Sequence, residues 1–393
     1  METQHREDSL RHLEDYLRLF HCRELPVARF SALLSQFGNL TRIRSHSTLE
    51  MADWGLTPEQ VRVLAEPKYA KDVANFVDRD LNWRETATNS IVCYEDNAYP
   101  ELLRQTAGAP ALLYVRGRIK SLTEPLFAIV GSRKSSSYGL RIAYWMAHEL
   151  GRIGLGICSG LAKGIDAQSH AGALAADAGT IAVMGTGADI IYPAANRQLA
   201  ERILQNGALV TEFPLGTQPL PAHFPQRNRI ISGLSSGVLV VEATTRSGSL
   251  ITARLALDQN RDVFAIPGAV SSPVSRGCHQ LIKQGAKLVE TPEDILEELT
   301  LLNPSLPADS SAGYEPLCDP PLEKAIGNNA QRRLILKALQ AESCLLETLL
   351  ERTGLDLQPL NNELVQLEVE GHIESIGGRY ARVFQTPLHR VTD

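Results

Sequence analysis

The sequence lacks the features of a membrane protein, a disulfide-rich protein or a metal-binding module. No run of residues approaches the ~20 apolar positions of a membrane-spanning helix. The six cysteines are scattered along 393 residues without a C-x-x-C pair, so neither a disulfide framework nor a metal site is predicted. The first residues are polar and acidic, unlike a secretory signal or a transit peptide, and a cytoplasmic location is expected.

Two common phosphate-binding motifs are also missing. The sequence contains neither the G-x-G-x-x-G fingerprint of dinucleotide-binding proteins nor the G-x-x-x-x-G-K-[ST] pattern of a P-loop. No Ser/His/Asp triad can be assembled convincingly either. We therefore predict no cofactor and no catalytic residue.

The composition is that of a large globular protein. A length of 393 residues suggests two to four domains at roughly 100–200 residues each, and 44% hydrophobic content is enough for substantial cores. The net charge of −6 argues against a protein that coats polyanions generally. It does not exclude nucleic acid, because the distribution of charge decides binding, and basic residues recur here in loops after predicted strands.

The middle of the chain alternates short apolar runs with amphipathic segments. Strands that alternate with helices indicate βαβ units and a mainly parallel sheet, so we predict an α/β, extended Rossmann-like domain over residues 86–302. The predicted strands are 91–94, 111–117, 126–131, 155–159, 180–184, 208–213, 237–243, 262–267 and 286–290, and the predicted helices are 140–153, 163–178, 195–205, 250–259 and 278–284.

Different patterns flank this middle region. Residues 1–85 predict a small helical domain of SAM or HhH type, with helices over 10–22, 27–37, 49–54 and 58–65. Residues 303–327 are rich in proline, serine and aspartate and are predicted to be a linker. Over 328–393, three short helices precede a hairpin turn at Gly377-Gly378, a pattern typical of a winged helix.

Glycines, hydroxyls and cations follow several of the predicted strands. Parallel strands end at one edge of a sheet, where helix N-termini offer free N–H groups to anions, so these segments predict a broad phosphate-binding crevice. Asp166 is expected to cap a helix or orient a basic neighbour rather than to catalyse. The candidate residues are Gly131, Ser132, Arg133, Lys134, Ser159, Gly160, Lys163, Phe224, Arg227, Arg229, Arg246, Ser247, Gly248, Ser249 and Thr252.

A single DNA strand is a ligand that suits such a crevice. It combines phosphates with exposed base faces, and it needs a positive groove and stacking platforms. Arg133, Lys163, Arg227 and Arg229 are the predicted groove cations. If all four meet phosphates, the logarithmic salt slope of binding should be about −3. Phe224 is either a stacking platform or a loop residue packed against its own domain, and the sequence leaves both open.

Four segments resemble the signature blocks of the DprA/Smf family of DNA-processing proteins, in the right order over residues 85–300. They read GSR, SGLAKGIDAQSHAGAL, FPQRNRIISGLS and SGSLITA. The resemblance implies an extended Rossmann domain that binds single-stranded DNA without sequence preference, forms a homodimer and loads the recombinase RecA during natural transformation. The positions that match the family motifs are Gly131, Ser132, Arg133, Ser159, Gly160, Lys163, Gly164, Asp166, Arg227, Asn228 and Arg229.

An enzyme is the competing class. The LOG phosphoribohydrolases, nucleotide-processing relatives of this fold, carry P-G-G-x-G-T-x-x-E after the corresponding strand. The matching segment here, residues 247–254, has no carboxylate at that point, and only Glu242 and Asp166 remain as acids. We therefore predict a non-enzymatic binding protein.

The predicted winged helix is acidic where such domains commonly meet DNA. Residues 355–378 contain five acidic residues and no lysine or arginine. A third helix that reads DNA needs cations near its start. We therefore expect this domain to contact protein rather than DNA, with Arg379 and Arg382 as its cationic exceptions.

Overall fold

The computed structural model describes residues 2–70, 72–302, 329–339, 344–370 and 372–382. The predicted linker at 303–327 lies outside the described residues. None of the described helices is both long and apolar enough to cross a bilayer.

The N-terminal region is helical, as the sequence predicts. The predicted helices over 27–37 and 58–65 keep their bounds. Capping boxes at Ser47 and Thr57 set the starts of the fourth and fifth helices. Two further helices, the third and the sixth, were not predicted from the sequence. The helices are α1 (Glu2–His21), α2 (Val27–Phe37), α3 (Leu40–Arg44), α4 (Thr48–Asp53), α5 (Pro58–Ala65) and α6 (Ala74–Arg84).

The central region forms a nine-stranded sheet of order β1-β2-β6-β5-β4-β3-β7-β8-β9. Strands β3 to β9 run parallel to one another, whereas β2 is antiparallel to both β1 and β6. This confirms the mainly parallel, extended Rossmann-like fold. The strands are β1 (Asn89–Cys93), β2 (Leu112–Gly117), β3 (Leu126–Val130), β4 (Gly156–Ser159), β5 (Thr180–Val183), β6 (Ala208–Thr211), β7 (Gly237–Val240), β8 (Asp262–Ala265) and β9 (Lys287–Leu288).

Helices cover both faces of the sheet, so the central strands are buried and almost wholly apolar. No helix is predicted from the sequence over the FPQRNRIISGL segment. This is wrong, because the segment forms α11 (His223–Leu234). Pro225 is compatible with that helix because it lies in the first turn, where its missing N–H has no helical partner. The helices are α7 (Glu101–Arg104), α8 (Ser137–Arg152), α9 (Ile165–Ala175), α10 (Arg197–Asn206), α11 (His223–Leu234), α12 (Ser249–Asp258), α13 (Arg276–Lys283) and α14 (Pro292–Leu302).

The N-terminal helices pack on the antiparallel end of the sheet and share its core. The Tyr16 hydroxyl on α1 donates to the carbonyl of Ala111 at 2.9 Å. Tyr114 on β2 donates to Asp80 on α6 and meets the ring of Phe20 edge-on. These contacts lie at the β1–β2 end of the sheet, whereas the candidate site lies around β3, β4 and β7.

The C-terminal region has the predicted winged-helix pattern and a hydrophobic core of its own. Gly377 and Gly378 both have positive φ and form the turn between its last two strands. Arg332 pairs with Glu363 at 2.7 Å and with Glu370 at 2.8 Å. The elements are α15 (Ala330–Ala338), β10 (Cys344–Leu345), α16 (Leu346–Thr353), α17 (Leu357–Val369), β11 (Ile373–Ile376) and β12 (Arg379–Arg382), with strand order β10-β12-β11.

Candidate nucleic-acid interface

The candidate site lies at the edge where the parallel strands β3 to β8 end, which we call the carboxyl edge. The glycine-bearing segments after β3, β4, β5 and β7 all begin there, because these strands are parallel neighbours in one sheet. The loop after β6 reaches the same edge and leads into α11. The fold therefore brings together segments that lie far apart along the chain.

The loops after β3 and β4 are in direct contact. A β-carbon built on Gly164, whose φ is +82°, would lie 2.4 Å from the carbonyl oxygen of Ser132. One built on Gly131 would lie 2.6 Å from the side chain of Ile165. The Ser132 hydroxyl donates to the carbonyl of Lys134 at 2.9 Å within its own loop. Both glycines and Ser132 thus shape the two loops.

Arg227 does not supply an exposed cation, contrary to the expectation from the sequence. Only 4% of this residue is exposed. Its guanidinium donates to the carbonyl of Gly160 at 2.8 Å and to the carbonyl of Val183. A β-carbon on Gly160 would lie 2.6 Å from the guanidinium nitrogens, so glycine is needed there for Arg227 to enter. Arg227 ties α11 to the ends of β4 and β5.

Asp166 is a buried acid near enough to Arg227 for each charge to affect the pKa of the other. Its carboxylate accepts a hydrogen bond of 3.1 Å from the N–H of Gly160. Burial raises the pKa of Asp166, and the nearby Arg227 opposes that shift. Burial lowers the pKa of Arg227 to about 10, against the effect of Asp166. Asp166 therefore holds the loop after β4, whose Gly160 carbonyl accepts from Arg227.

Arg229 also has a protein partner, since its guanidinium forms an ion pair with Glu212 after β6. The Asn228 amide donates to the carbonyl of Gly248 at 3.4 Å, which joins α11 to the loop after β7. The buried hydroxyl of Ser159 donates to the carbonyl of Ile129 at 2.7 Å. The buried candidates are Ser132, Ser159, Gly160, Asp166, Arg227, Asn228, Ser249 and Thr252.

Four predicted cations remain exposed at the carboxyl edge. They are Arg133, Lys134, Lys163 and Arg246, from the loops after β3, β4 and β7. None of the four is in an ion pair with another residue of the described ranges. We call them the rim cations. Gly248 is exposed beside them, and Gly131, Gly164, Phe224, Arg229 and Ser247 are partly exposed.

Arg197 is an exposed cation that the sequence analysis missed. It opens α10, and the preceding Asn196 donates to the carbonyl of Leu161 at 2.8 Å, next to the loop that carries Lys163. The available signal was its position near the start of a predicted helix that follows a strand. It was not selected because the connection before it, from 184 to 196, is long.

Phe224 lies in the first turn of α11 with its ring partly exposed and partly packed against its own domain. The Arg133 guanidinium lies 5.3 Å from the ring centroid, within the range of a cation–π contact. A β-carbon on Gly185 would come within 3.0 Å of the same ring, so the loop after β5 packs against it. Tyr192, which the sequence analysis did not select, has its ring centroid 5.5 Å from that of Phe224.

The comparisons with known proteins agree with this geometry. The family model described as DNA recombination-mediator protein A matches residues 90–300, and that of the DprA winged helix domain matches residues 319–379. The chain belongs to the DprA/Smf family. This confirms the resemblance that the four sequence blocks carry.

Individual DprA/Smf relatives cover most of the chain. Protein Smf of Escherichia coli is 40% identical over 338 residues, which are 84% of this chain and 85% of that protein. The X-ray structure of DNA processing protein A from Streptococcus pneumoniae is 37% identical and covers 70% of this chain and 98% of its own, with a TM-score of 0.56. A Helicobacter pylori structure, described as giving insight into a unique single-stranded DNA binding mode of DNA processing protein A, is 29% identical with a TM-score of 0.50 and covers 54% of this chain and 96% of its own.

Glu242, the other acid considered for an enzyme, lies at the end of β7 against the start of α8. Its carboxylate accepts hydrogen bonds from the N–H of Ser136, at 2.9 Å, and from the Ser136 hydroxyl. Burial raises the pKa of Glu242, and these bonds oppose the shift. Among the described residues no group of three histidine, cysteine, aspartate or glutamate side chains is arranged to hold a metal ion. Glu242 thus holds two loops together in this DprA/Smf protein.

Proposed function

We propose that this chain binds single-stranded DNA without sequence preference along the carboxyl edge, protects incoming strands and delivers them to RecA in natural transformation and recombination. The observation that carries the proposal is the set of exposed rim cations beside the partly exposed ring of Phe224. The single-stranded DNA binding mode described for the Helicobacter pylori relative supports it. Protein and DNA partners of this kind agree with a cytoplasmic location.

The chemistry of the edge explains why no sequence preference is expected. Lysine and arginine meet phosphates, which every nucleotide carries, and an aromatic ring stacks on any base. The buried residues Arg227 and Asp166 hold the loops in place.

The proposal is tested by fluorescence anisotropy with single-stranded and double-stranded oligonucleotides of equal length. We expect tighter binding of the single strand, similar affinities for different sequences, and a logarithmic salt slope of about −3, from ~0.7 for each of the four rim cations. A preference for the duplex, or an affinity independent of salt, would contradict the proposal.

We propose in addition that the chain is not an enzyme. Asp166 and Glu242, the two acids considered for an enzyme, both accept hydrogen bonds from backbone N–H groups and support the loops. Incubation with nucleoside monophosphates is expected to release no free base. Measurable release would favour the phosphoribohydrolase alternative.

We propose that the Rossmann-like domain forms a homodimer. Helix α12 exposes the apolar side chains of Leu257, of which 57% is accessible, and of Ile251. A partner subunit would cover apolar surface of this kind. We expect Leu257→Glu to convert a dimer to a monomer in sedimentation velocity. The control Asp258→Ala, one position along the same helix, should leave the mass unchanged.

The winged-helix domain is expected not to bind DNA. Helix α17, the third helix of the domain, contains no lysine or arginine, and Arg332 is engaged by Glu363 and Glu370. Since this domain has a core of its own, the segment 328–393 can be tested separately. We expect no binding of oligonucleotides at physiological salt, where the full chain binds them. Binding by the isolated segment would refute a role restricted to protein contacts.

A further inference from the structure

Tyr192 is the most exposed aromatic residue beside the rim cations. It lies in the connection between β5 and α10, and 43% of it is accessible. Its ring is inclined by 37° to the ring of Phe224 at a centroid distance of 5.5 Å. Phe224 is less exposed, since Gly185 and Arg133 also contact it. Of the two rings, Tyr192 therefore has more surface available to a ligand.

The connection that carries Tyr192 is held at several points. The Thr186 hydroxyl donates to the carbonyl of Ile190 at 2.6 Å. The Asp189 carboxylate accepts from the N–H of Gly216 at 2.9 Å. After Tyr192, the Asn196 amide donates to the carbonyl of Leu161. These bonds anchor the backbone on both sides of the ring. The loss of conformational entropy when a base stacks on Tyr192 is therefore expected to be small.

We propose that Tyr192 stacks on an unpaired base and makes the carboxyl edge selective for single-stranded over double-stranded DNA. This inference rests on the proposed function and adds a residue and a cause of selectivity to it. The rim cations meet phosphates, which a duplex presents as well as a single strand does. An aromatic ring needs a free base face, which a base inside a duplex does not offer because its neighbours cover both faces.

The position of Tyr192 among the cations supports stacking over simple packing. Arg133 lies over Phe224, the ring that Tyr192 contacts, and the Asn196–Leu161 hydrogen bond brings the end of the Tyr192 connection to the loop of Lys163. A strand whose phosphates meet Arg133 and Lys163 would thus place a base near Tyr192. A tyrosine that only filled a core would be buried, as Tyr16, Tyr99 and Tyr114 are.

The test compares a thymidine oligomer with an oligomer of abasic spacers that has the same number of phosphates. The wild-type chain should bind the thymidine oligomer more tightly. Tyr192→Ala should weaken thymidine binding roughly 5- to 100-fold and leave binding of the abasic oligomer and of a duplex nearly unchanged. Tyr192→Phe keeps the ring and should retain the wild-type affinities. Tyr69→Ala removes an exposed tyrosine from the N-terminal helices and serves as the matched control.

The outcomes separate the inference from the function on which it rests. If the wild-type chain binds neither single-stranded oligomer, the proposed function fails and the inference fails with it. If the wild-type chain binds thymidine better than the abasic oligomer and Tyr192→Ala keeps that difference, only the role of Tyr192 is overturned. Equal weakening of both oligomers by Tyr192→Ala would show that the residue shapes the loop and does not stack. Circular dichroism of each variant checks that the fold is intact.

Discussion

Replacing Arg227 with alanine is expected to lower the free energy of unfolding by about 3–5 kcal/mol, because a buried cation that donates to two carbonyls is lost near a buried carboxylate. The substitution takes hydrogen-bond donors from the carbonyls of Gly160 and Val183. It also removes the positive charge that lies near the buried carboxylate of Asp166. Both losses occur where the ends of β4 and β5 meet α11.

Urea unfolding followed by far-UV circular dichroism measures this effect. Arg229→Ala is the matched control, because Arg229 lies on the same helix with its side chain 21% exposed, and this substitution should cost less than Arg227→Ala. Adding Asp166→Asn to Arg227→Ala should recover part of the loss, since the buried negative charge that Arg227 accompanied is then removed. Equal destabilisation by Arg227→Ala and Arg229→Ala would show that the full burial of Arg227 has no special weight.

The double substitution Arg133→Ala with Lys163→Ala is expected to weaken binding of single-stranded DNA about 5- to 30-fold, at up to ~1 kcal/mol for each exposed ionic contact. The loss should be similar for all sequences because phosphates carry no sequence information. The logarithmic salt slope should become smaller by about 1.4, at ~0.7 for each lost phosphate contact. Fluorescence anisotropy at several salt concentrations gives both quantities.

A control of equal charge comes from the opposite edge of the sheet. Lys120 precedes β3 and Lys283 ends the helix before β9, so both exposed lysines lie where the strands begin. Lys120→Ala with Lys283→Ala changes the net charge by the same amount. This control should leave the salt slope unchanged. If both double variants lost affinity equally, binding would follow the total charge and not the carboxyl edge.

Most of the fold follows from local patterns in the sequence. All nine strands of the sheet were predicted within a few residues, because buried parallel strands are short apolar runs between polar connections. Helix α11 was not predicted, because the polar residues 226–229 interrupt its apolar spacing. The connection from 184 to 196 was not predicted as part of the site either. Tyr192 within it and Arg197 directly after it lie well beyond the end of β5. Only the packing of Tyr192 on Phe224 and the hydrogen bond from Asn196 to Leu161 bring them to the carboxyl edge.

The family, the parallel sheet and the gathering of glycine-rich loops at one edge could be predicted from residue order and from the period of apolar positions. Which cations face solvent depends on tertiary packing. Arg227 and Arg229 are two residues apart on one helix, and a helix turns by about 100° per residue, so they point in widely different directions. Arg227 occupies the space that Gly160 leaves open and is buried, whereas Arg133 and Lys163 lie on loops and are exposed.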